Sequence, residues 1–340
     1  MSIIRRRRSS FVAVGAAVAL LGASACSSNA PAVGEDGEPI VRFSGLPDPA
    51  PLPVIVMQEE GLDEKYGFEA DFVEIDPDVS TTSFLMGESD IAVDQDAVSS
   101  SIANNQGHDV VSFYPALANT ASIVAAPGSG ITGPEDLVGK RVGHFGMDSG
   151  TTQALSVSLK RAHDIDVSDF ELVQSAPASL PQLLASGEVD AIFDYEPYSA
   201  NAIKLTGGEY VFQVTPYWEK ATGWSPALAM LTARRDWLAD NPDLSRDVLK
   251  AWKEAEALVA DSDYTMFLEE PYASFLDRDS KEELRTLADY CDRLECYTAS
   301  WDTSDVKKQN AYLDRMVDQG MLEAVPKNEP TATLEQVVGP

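Results

Sequence analysis

The feature that most constrains the fold of this chain is an internal similarity between two segments 100 residues apart. Residues 87–96 read GESDIAVDQD and residues 187–196 read GEVDAIFDYE. A solenoid repeat spans only about 20–50 residues. The spacing instead favours two similar α/β lobes, each with acidic residues at the carboxyl end of a strand, where open α/β sheets bind ligands. The alternative is coincidence, since Gly often ends helices and Asp often occupies turns.

The rest of the pattern agrees with an α/β fold. From Val41 onward, short β-type runs alternate with helical patterns, which is typical of α/β packing. Beyond Arg234 the pattern becomes mostly helical, and one of the predicted helices there spans 263–276. The length of 340 residues allows two or three domains at roughly 100–200 residues each.

The N-terminus reads as an export signal. Four arginines at 5–8 precede an apolar run at 11–21, and small residues then lead to Cys26. The run is shorter than the ~20 residues that a spanning helix needs. We expect residues 1–25 to be a signal peptide and 26–40 a lipid anchor and flexible tether, with Cys26 lipidated on the outer face of the cell membrane. Ordinary cleavage nearby is the alternative, and the export route stays open between general secretion and twin-arginine export.

The net charge limits the partners. The chain has 25 Lys+Arg and 55 Asp+Glu, a formal charge of −30. Since four of the basic residues are the arginines at 5–8, removal of that end leaves 21 against 55, or −34. Such a surface repels phosphate backbones and anionic headgroups. We therefore expect no nucleic acid partner, and membrane attachment only through the lipid.

Two cysteines remain besides Cys26. Cys291 and Cys296 are five residues apart, and outside the cytosol such a pair can form a disulfide. This requires the predicted helix to break near Asp292. The alternative is two separate thiols on one helix.

Several stretches together resemble a known family. Residues 131–143, ITGPEDLVGKRVG, are similar to the I-x-x-x-x-D-L-x-G-K-x-V-G stretch of solute-binding lipoproteins of bacterial ABC importers. Residues 60–68 (EGLDEKYGF), 107–111 (GHDVV) and the two repeats agree. The branch that the chain most resembles is the nitrate/sulfonate/taurine and thiamine-pyrimidine-precursor group. The resemblance covers about 41–232 and is weak on ligand identity.

The resemblance implies a two-lobe, type II periplasmic-binding-protein-like fold, each lobe a mixed sheet flanked by helices, with a helical C-terminal part. Lobe 1 would comprise 41–128 plus 231–340, and lobe 2 would comprise 129–230. Crossings would lie near 125–130 and 226–232. The partners implied are a small-molecule ligand and an ABC permease and ATPase complex, and we expect a monomer.

Ligand-binding candidates lie at strand ends, at the predicted lobe crossings and at the start of the helix after 141–144. Backbone N–H groups and hydroxyls at a helix start favour an anionic group, although plain helix capping is the alternative there. The candidates are Pro47, Asp48, Asp94, Gln95, Asp96, Asn119, Thr120, Asp148, Ser149, Gly150, Thr151, Asp194, Tyr195, Glu196 and Trp224.

These candidates include many carboxylates and no basic residue. Because buried carboxylates are costly without a partner, we expect an amine-bearing or nitrogen-heterocyclic ligand of the thiamine-precursor type, with aromatic residues stacking on it or simply packing. The alternatives are a sulfonate, taurine or nitrate ligand, a thiamine-precursor-synthase-like enzyme on the same fold, or a sensory module. The three histidines, His108, His144 and His163, form no catalytic motif. We expect no enzyme activity, no cofactor and no metal, although the paired acids at 94/96 and 194/196 leave a metal as a minor alternative.

Overall fold

The computed structural model describes residues 29–75, 79–147, 149–278, 280–297 and 300–340. The predicted signal segment, Cys26 and Asp148 therefore lie outside the described residues. The described chain is a mixed α/β structure with two sheets flanked by helices, which confirms the predicted fold class. The strands are β1 Ala32–Val33, β2 Pro39–Gly45, β3 Glu69–Glu74, β4 Ile91–Gln95, β5 Val110–Ala118, β6 Ser122–Ala125, β7 Arg141–His144, β8 Glu171–Gln174, β9 Ala191–Asp194, β10 Glu209–Gln213 and β11 Ala227–Arg234.

Helices cover both sheets and make up most of the C-terminal third. They are α1 Leu52–Glu59, α2 Leu62–Tyr66, α3 Ser80–Leu85, α4 Ala97–Asn105, α5 Gly150–His163, α6 Leu180–Ser186, α7 Tyr198–Thr206, α8 Val214–Thr222, α9 Arg235–Asp240, α10 Pro242–Asp261, α11 Tyr272–Phe275, α12 Lys281–Leu294, α13 Thr303–Asp318 and α14 Leu334–Val338. Within the part of the chain described here, no helix is both long and apolar enough to cross a membrane.

The single helix predicted for 263–276 is wrong. The structure has a short 3-10 turn at Thr265–Leu268 and then α11. Asp263 and Tyr264, just after α10, have φ of 51° and 57°. This left-handed conformation cannot continue a right-handed helix. Pro271 then immediately precedes α11 and lacks the N–H that a continuous helix needs.

The two sheets share one topology. In the first, the path β3-β2-β4-β11-β5 has two parallel and then two antiparallel pairings, with β1 added beside β2. In the second, the path β8-β7-β9-β6-β10 has the same sequence of directions. The repeated sequence segments end in β4 and β9, which occupy matching places. The similarity 100 residues apart therefore reflects a shared architecture.

The repeated Gly-Glu-x-Asp segments also share a contact. Asp90 accepts from the backbone N–H and side-chain Nε of Arg42, and Arg42 Nη2 lies 3.0 Å from Asp90 Oδ1. Asp190 accepts from the same atoms of Arg141, with Nη2 at 2.7 Å. Each planar guanidinium thus holds its own strand, β2 or β7, to the turn that precedes β4 or β9. These two aspartates have a structural role in both sheets.

The chain crosses between the sheets twice, and the first crossing lies before the predicted position. Strand β6, predicted to belong to lobe 1, pairs with β9 and β10 in the second sheet. The first crossing therefore lies between Ala118 and Ser122, upstream of 125–130. The second lies between Gln213 and Ala227, because β11 already pairs with β4 and β5 of the first sheet.

Two main apolar clusters hold the structure together. The larger lies under the first sheet and includes Phe43, Trp237 and Trp252, all essentially without solvent exposure. The other lies under the second sheet but also takes in Val98 of α4 and Leu313 of α13. Since α4 follows a strand of the first sheet, this shared cluster packs the two halves of the molecule against each other.

Candidate functional site

The predicted residues lie at facing strand ends of the two sheets. Asp94 and Gln95 are the last residues of β4, and Asp194 is the last residue of β9, so the structure extends both strands into the segments predicted to follow them. Asp48 follows β2. Tyr195, just after β9, is half-buried and lies within electrostatic range of Asp48 and of Arg278. The carboxyl edges of the two sheets therefore face each other at these residues.

Asp48 and Asp94 form the acidic part of the first-sheet edge. Asp48 Oδ1 accepts from the backbone N–H of Ala50 at 2.8 Å. Burial raises the pKa of Asp48 to about 6, and neighbouring Asp94 acts in the same direction while Arg278 opposes it. Asp94 accepts from Ser80 Oγ at 2.6 Å and from Gln95 Nε2 at 3.2 Å, and its pKa is also raised by burial. Pro47 lies in the same loop, half-buried.

Asp194 and Glu196 form the acidic part of the second-sheet edge. Asp194 has no solvent exposure, and its Oδ1 accepts from the backbone N–H of Tyr195 at 3.0 Å. Among the described residues its Oδ2 has no hydrogen-bond partner. Burial raises the pKa of Asp194 well above its usual range, and Glu196 adds to the rise. A buried carboxylate oxygen without a donor is costly unless something else supplies one.

Glu196 is 4% exposed and accepts from the Tyr210 hydroxyl and from the backbone N–H of Ala200. Burial raises its pKa to about 7, with these two hydrogen bonds and the charge of Arg293 acting in the opposite direction. This carboxyl therefore keeps its proton to a higher pH than an exposed glutamate does.

Asp96 and the start of α5 connect the two edges. Asp96 is the N-cap of α4, where its Oδ1 accepts from the backbone N–H of Ser99 at 2.7 Å, and burial raises its pKa. Ser149 is the N-cap of α5 and accepts from the N–H of Thr152 at 3.1 Å, so the capping alternative holds for Ser149. Gly150 lies directly against Asp96, and Thr151 is buried in the same turn.

Asn119 and Thr120 lie at the first crossing. The Asn119 side chain accepts from the N–H of Ala121 at 3.1 Å, and its carbonyl accepts from the Thr215 hydroxyl at 2.8 Å. Asn119 thereby connects the two crossings of the chain. The hydroxyl of Thr120 is buried and, within the described ranges, has no hydrogen-bond partner.

The aromatic candidates divide between two places. Tyr195 packs edge-to-face on Phe145 and Tyr198, with ring centroids 5.6 and 5.3 Å apart, beside the acidic groups. Trp224 instead packs on Trp218 and Tyr312, at the rim of a cavity of about 370 Å³ behind the second crossing. That cavity contains none of the acidic candidates in its lining.

Sequence reasoning missed two arginines. Arg278, in the loop between α11 and α12, acts on both Asp48 and Tyr195, and Arg293 on α12 acts on Glu196. The expectation of a site without basic residues therefore needs correction. Both arginines lie more than 80 residues beyond the last acidic candidate in the sequence. No motif marks them, so no local signal could have placed them here.

His144, one of the three histidines, is buried and forms a hydrogen bond within its own loop. It is 4% exposed, and its Nδ1 accepts from the backbone N–H of Gly146 at 3.2 Å. Burial lowers its pKa, which keeps the ring neutral near pH 7. Among the described residues, no three or more His, Cys, Asp or Glu side chains are grouped to hold a metal ion.

Cys291 and Cys296 are joined by a disulfide, with their Cα atoms 4.7 Å apart. The helix ends at Leu294, two residues later than the expected break, and left-handed Glu295 turns the chain back. The carbonyl of Cys296 accepts from the N–H of Ala118, and the Tyr297 hydroxyl donates to the carbonyl of Pro49 at 2.7 Å. The cross-linked turn thus contacts both the first crossing and the loop that carries Asp48.

The site as a whole can hold a positive charge. Five carboxyl groups from both sheets have raised pKa values, and burial is the largest cause for each. They belong to Asp48, Asp94, Asp96, Asp194 and Glu196. A cation placed among them would favour their ionised forms and offset the cost of burial.

Comparison with solved structures identifies the class of fold. The periplasmic aliphatic sulphonate-binding protein SsuA from Escherichia coli superimposes with a TM-score of 0.68 at 16% identity, covering 88% of this chain and 98% of that one. The periplasmic nitrate-binding protein NrtA from Synechocystis PCC 6803 gives 0.62 at 14% identity, covering 88% and 85%. The desulfurization enzyme DSZB gives 0.60 at 16% identity, covering 88% and 96%. The chain has the fold of periplasmic binding proteins, which an enzyme also uses.

The sequence identifies the family. The model of the "NMT1/THI5 like" family matches residues 48–262, which is more than half of the chain. The protein belongs to the NMT1/THI5-like family. No curated protein sequence matches it at a significant level.

Proposed function

We propose that the protein is an extracytoplasmic solute-binding component of an ABC importer, which captures a cationic, amine-bearing or nitrogen-heterocyclic molecule between its two sheets. The observation that carries the ligand class is a group of five carboxyls with raised pKa values, of which Asp194 and Glu196 are buried and the other three half-buried. Within it, the Asp194 oxygen that lacks a donor among the described residues fits an N–H group of a ligand. Tyr195 supplies an adjacent ring face for a cation or heterocycle.

The family and the fold support the transport role. The family is shared with a thiamine-precursor synthase, and the structures with the same fold include sulfonate-binding and nitrate-binding periplasmic proteins. The export signal read from the sequence favours binding over cytosolic synthesis, so we propose that the chain binds its ligand without catalysis. Lipid attachment at Cys26, delivery to a permease and ATPase, and a monomeric state belong to the same proposal.

A sulfonate-type ligand is the second candidate, and Arg278 is the observation that favours it. Its guanidinium lies in electrostatic range of Asp48 and Tyr195, and an arginine can bind a sulfonate through paired hydrogen bonds. Against it, Arg278 is one positive group beside five carboxyls. A zwitterion such as taurine would bring both charges.

Thermal-shift and calorimetric titration of the purified protein tests the ligand class. The probes are the aminopyrimidine precursor of thiamine, thiamine and simple alkylamines on one side, and methanesulfonate, taurine and nitrate on the other. A ligand that binds only the folded state raises the melting temperature. We expect a rise with at least one nitrogen cation and none with methanesulfonate or nitrate, and the reverse pattern would refute the ligand class.

Two substitutions locate the binding site. Asp94→Asn together with Asp194→Asn retains side-chain size but removes both negative charges, and we expect binding of the nitrogen cation to weaken tenfold or more. The matched control is Asp314→Asn, which removes an exposed carboxylate on α13. Unchanged affinity in the double variant would remove these aspartates from the site.

A further inference from the structure

Arg278 is a positive group at the site without a partner from the protein. Its side chain forms no hydrogen bond, ion pair or ring contact with any residue that the structure describes, and its Nε is buried. The other arginine near the acidic groups, Arg293, instead lies over the ring of Tyr290, with Cζ 5.1 Å from the ring centroid. Because a buried N–H group without an acceptor is costly, the Arg278 guanidinium is available to an acceptor from outside the chain.

The residues just before Arg278 attach it to the half of the molecule that contains the first sheet. Phe275 packs edge-to-face on Phe72 of β3, with ring centroids 5.1 Å apart. Asp277, with φ of 43°, then turns the chain away from α11. Arg278 follows at once and lies in electrostatic range of Asp48, in the loop after β2. The guanidinium therefore belongs to the first-sheet edge of the site.

Asp194 is the matching group of opposite charge at the second-sheet edge. It has no solvent exposure, and its Oδ2 has no donor among the described residues. No ion pair joins it to Arg278 in the part of the chain that the structure describes, so neither group satisfies the other. Tyr195 lies in electrostatic range of both. One site thus contains an unpartnered donor from the first half and an unpartnered acceptor from the second.

A molecule with an ammonium group at one end and a carboxylate at the other would satisfy both groups. A carboxylate is planar, and its two oxygens can accept side by side from one guanidinium. A sulfonate has a third oxygen outside that plane, which needs a further donor. A plain amine would leave Arg278 without an acceptor and would place a second positive charge near it, which is unfavourable.

We propose that Arg278 is a specificity-determining residue, which binds the carboxylate of a zwitterionic amino acid whose nitrogen lies at Asp194. The inference rests on the proposed solute-binding function and narrows its amine-bearing ligand to one that also carries a carboxylate. Such a ligand connects a group of the first half to a group of the second, so its two ends hold the halves together.

The test is calorimetric titration of matched pairs of probes into the purified protein. Each pair is an amino acid and its amide: glycine and glycinamide, β-alanine and β-alaninamide, γ-aminobutyrate and γ-aminobutyramide. The amide retains the ammonium group and the size but loses the negative charge. We expect the wild type to bind at least one amino acid tenfold or more tightly than its amide. Taurine has the spacing of β-alanine with a sulfonate in place of the carboxylate, and tighter binding of taurine than of β-alanine would overturn the choice of a carboxylate.

Arg278→Met removes the guanidinium and retains a long side chain. We expect the affinity for the preferred amino acid to fall tenfold or more and that for its amide not to fall, so that the preference disappears. If Arg278 only offset the charge of Asp48, the substitution would change both affinities by the same factor, and that result would overturn the inference. The matched control is Arg285→Met, at an exposed arginine of α12, which should behave as the wild type does.

The wild type alone can refute the inference, so the test does not depend on the folding of a variant. If no amino acid binds more tightly than its amide, the inference is overturned, and binding of alkylamines or of the aminopyrimidine precursor would leave capture of a nitrogen cation standing. If no nitrogen probe binds and methanesulfonate does, the proposed ligand class fails as well.

Discussion

Replacing Glu196 by Gln should change how stability depends on pH. The carboxyl group is 4% exposed and has a pKa of about 7, against an ordinary value of 4.5. Glu196 therefore holds its proton more tightly in the folded chain than in the unfolded chain. Between these two pH values the folded state binds more protons, so the free energy of unfolding falls as pH rises. A glutamine cannot ionise; its carbonyl oxygen can accept from the Ala200 N–H, and its amide group can donate to the Tyr210 hydroxyl oxygen.

The magnitude follows from the pKa difference. At about 1.4 kcal/mol for each tenfold change in acidity, moving from 4.5 to about 7 is worth about 3 kcal/mol. Below pH 4.5 the Glu196 carboxyl is neutral in both the folded and the unfolded chain. Any loss of stability caused by the glutamine itself does not depend on pH. Above pH 7 the wild type has lost this stabilisation of about 3 kcal/mol in full. Glu196→Gln has lost none of it, because its side chain does not titrate. The stability of the variant relative to the wild type should therefore rise by about 3 kcal/mol between pH 4.5 and pH 8.

Urea denaturation at half-unit steps from pH 4.5 to pH 8 measures this difference directly. Carboxyls that do not interact with Glu196 affect both proteins equally, so the difference between the two curves reports Glu196 together with its effect on Asp194. Glu188→Gln, at an exposed glutamate of the same repeat, should follow the wild type in parallel. A constant difference between Glu196→Gln and the wild type across the whole range would refute the assigned cause, which is desolvation of a buried carboxyl.

Three further predictions follow from the geometry. Binding of a nitrogen cation should weaken from pH 8 to pH 5 and release protons, because carboxyls with pKa values of about 6 and about 7 must ionise; equal calorimetric heats in buffers of different ionisation enthalpy would contradict this. Asp90→Ala should cost about 3 kcal/mol by urea denaturation and Asp190→Ala clearly less, since their side chains are 4% and 24% exposed; equal costs would count against burial as the cause. Replacing both Cys291 and Cys296 by Ser should cost about 2 kcal/mol, as expected for so short a loop, and an unchanged melting temperature would show that the cross-link adds no stability.

Some strands could be predicted because local sequence specifies them, although β1 lies in the stretch expected to be a flexible tether. The apolar run at 191–193 is bounded by turn residues and has no helical period, and β9 occupies it with one added residue, Asp194. The repeat also indicated matching sheets. The prediction of one helix at 263–276 was wrong because the apolar residues there belong to a 3-10 turn and a separate short helix. The left-handed conformation of Asp263 and Tyr264 has no clear signal in the sequence.

The strand-end positions of the acidic candidates could be predicted, and the two arginines near them could not. Asp94 and Asp194 stand at repeated positions, which drew attention to them. Arg278 comes from a loop that contains no motif and reaches the site only through the packing of the C-terminal helices. The contact between Asp96 and Gly150 joins residues 54 apart in sequence, and capping rules explain each helix start separately but say nothing of their meeting.

The two chain crossings also set an order of assembly. All strands of the second sheet come from residues 122–213, one uninterrupted stretch. The first sheet needs β11 from 227–234, and residues 330–332 then hydrogen bond to Ser112 of β5. Because a chain emerges from the ribosome or a translocase from its N-terminus, the second sheet has all its strands while the first still lacks its central one. The half that begins the sequence is therefore the last to be completed, and its apolar strands remain exposed to chaperones and proteases for longer.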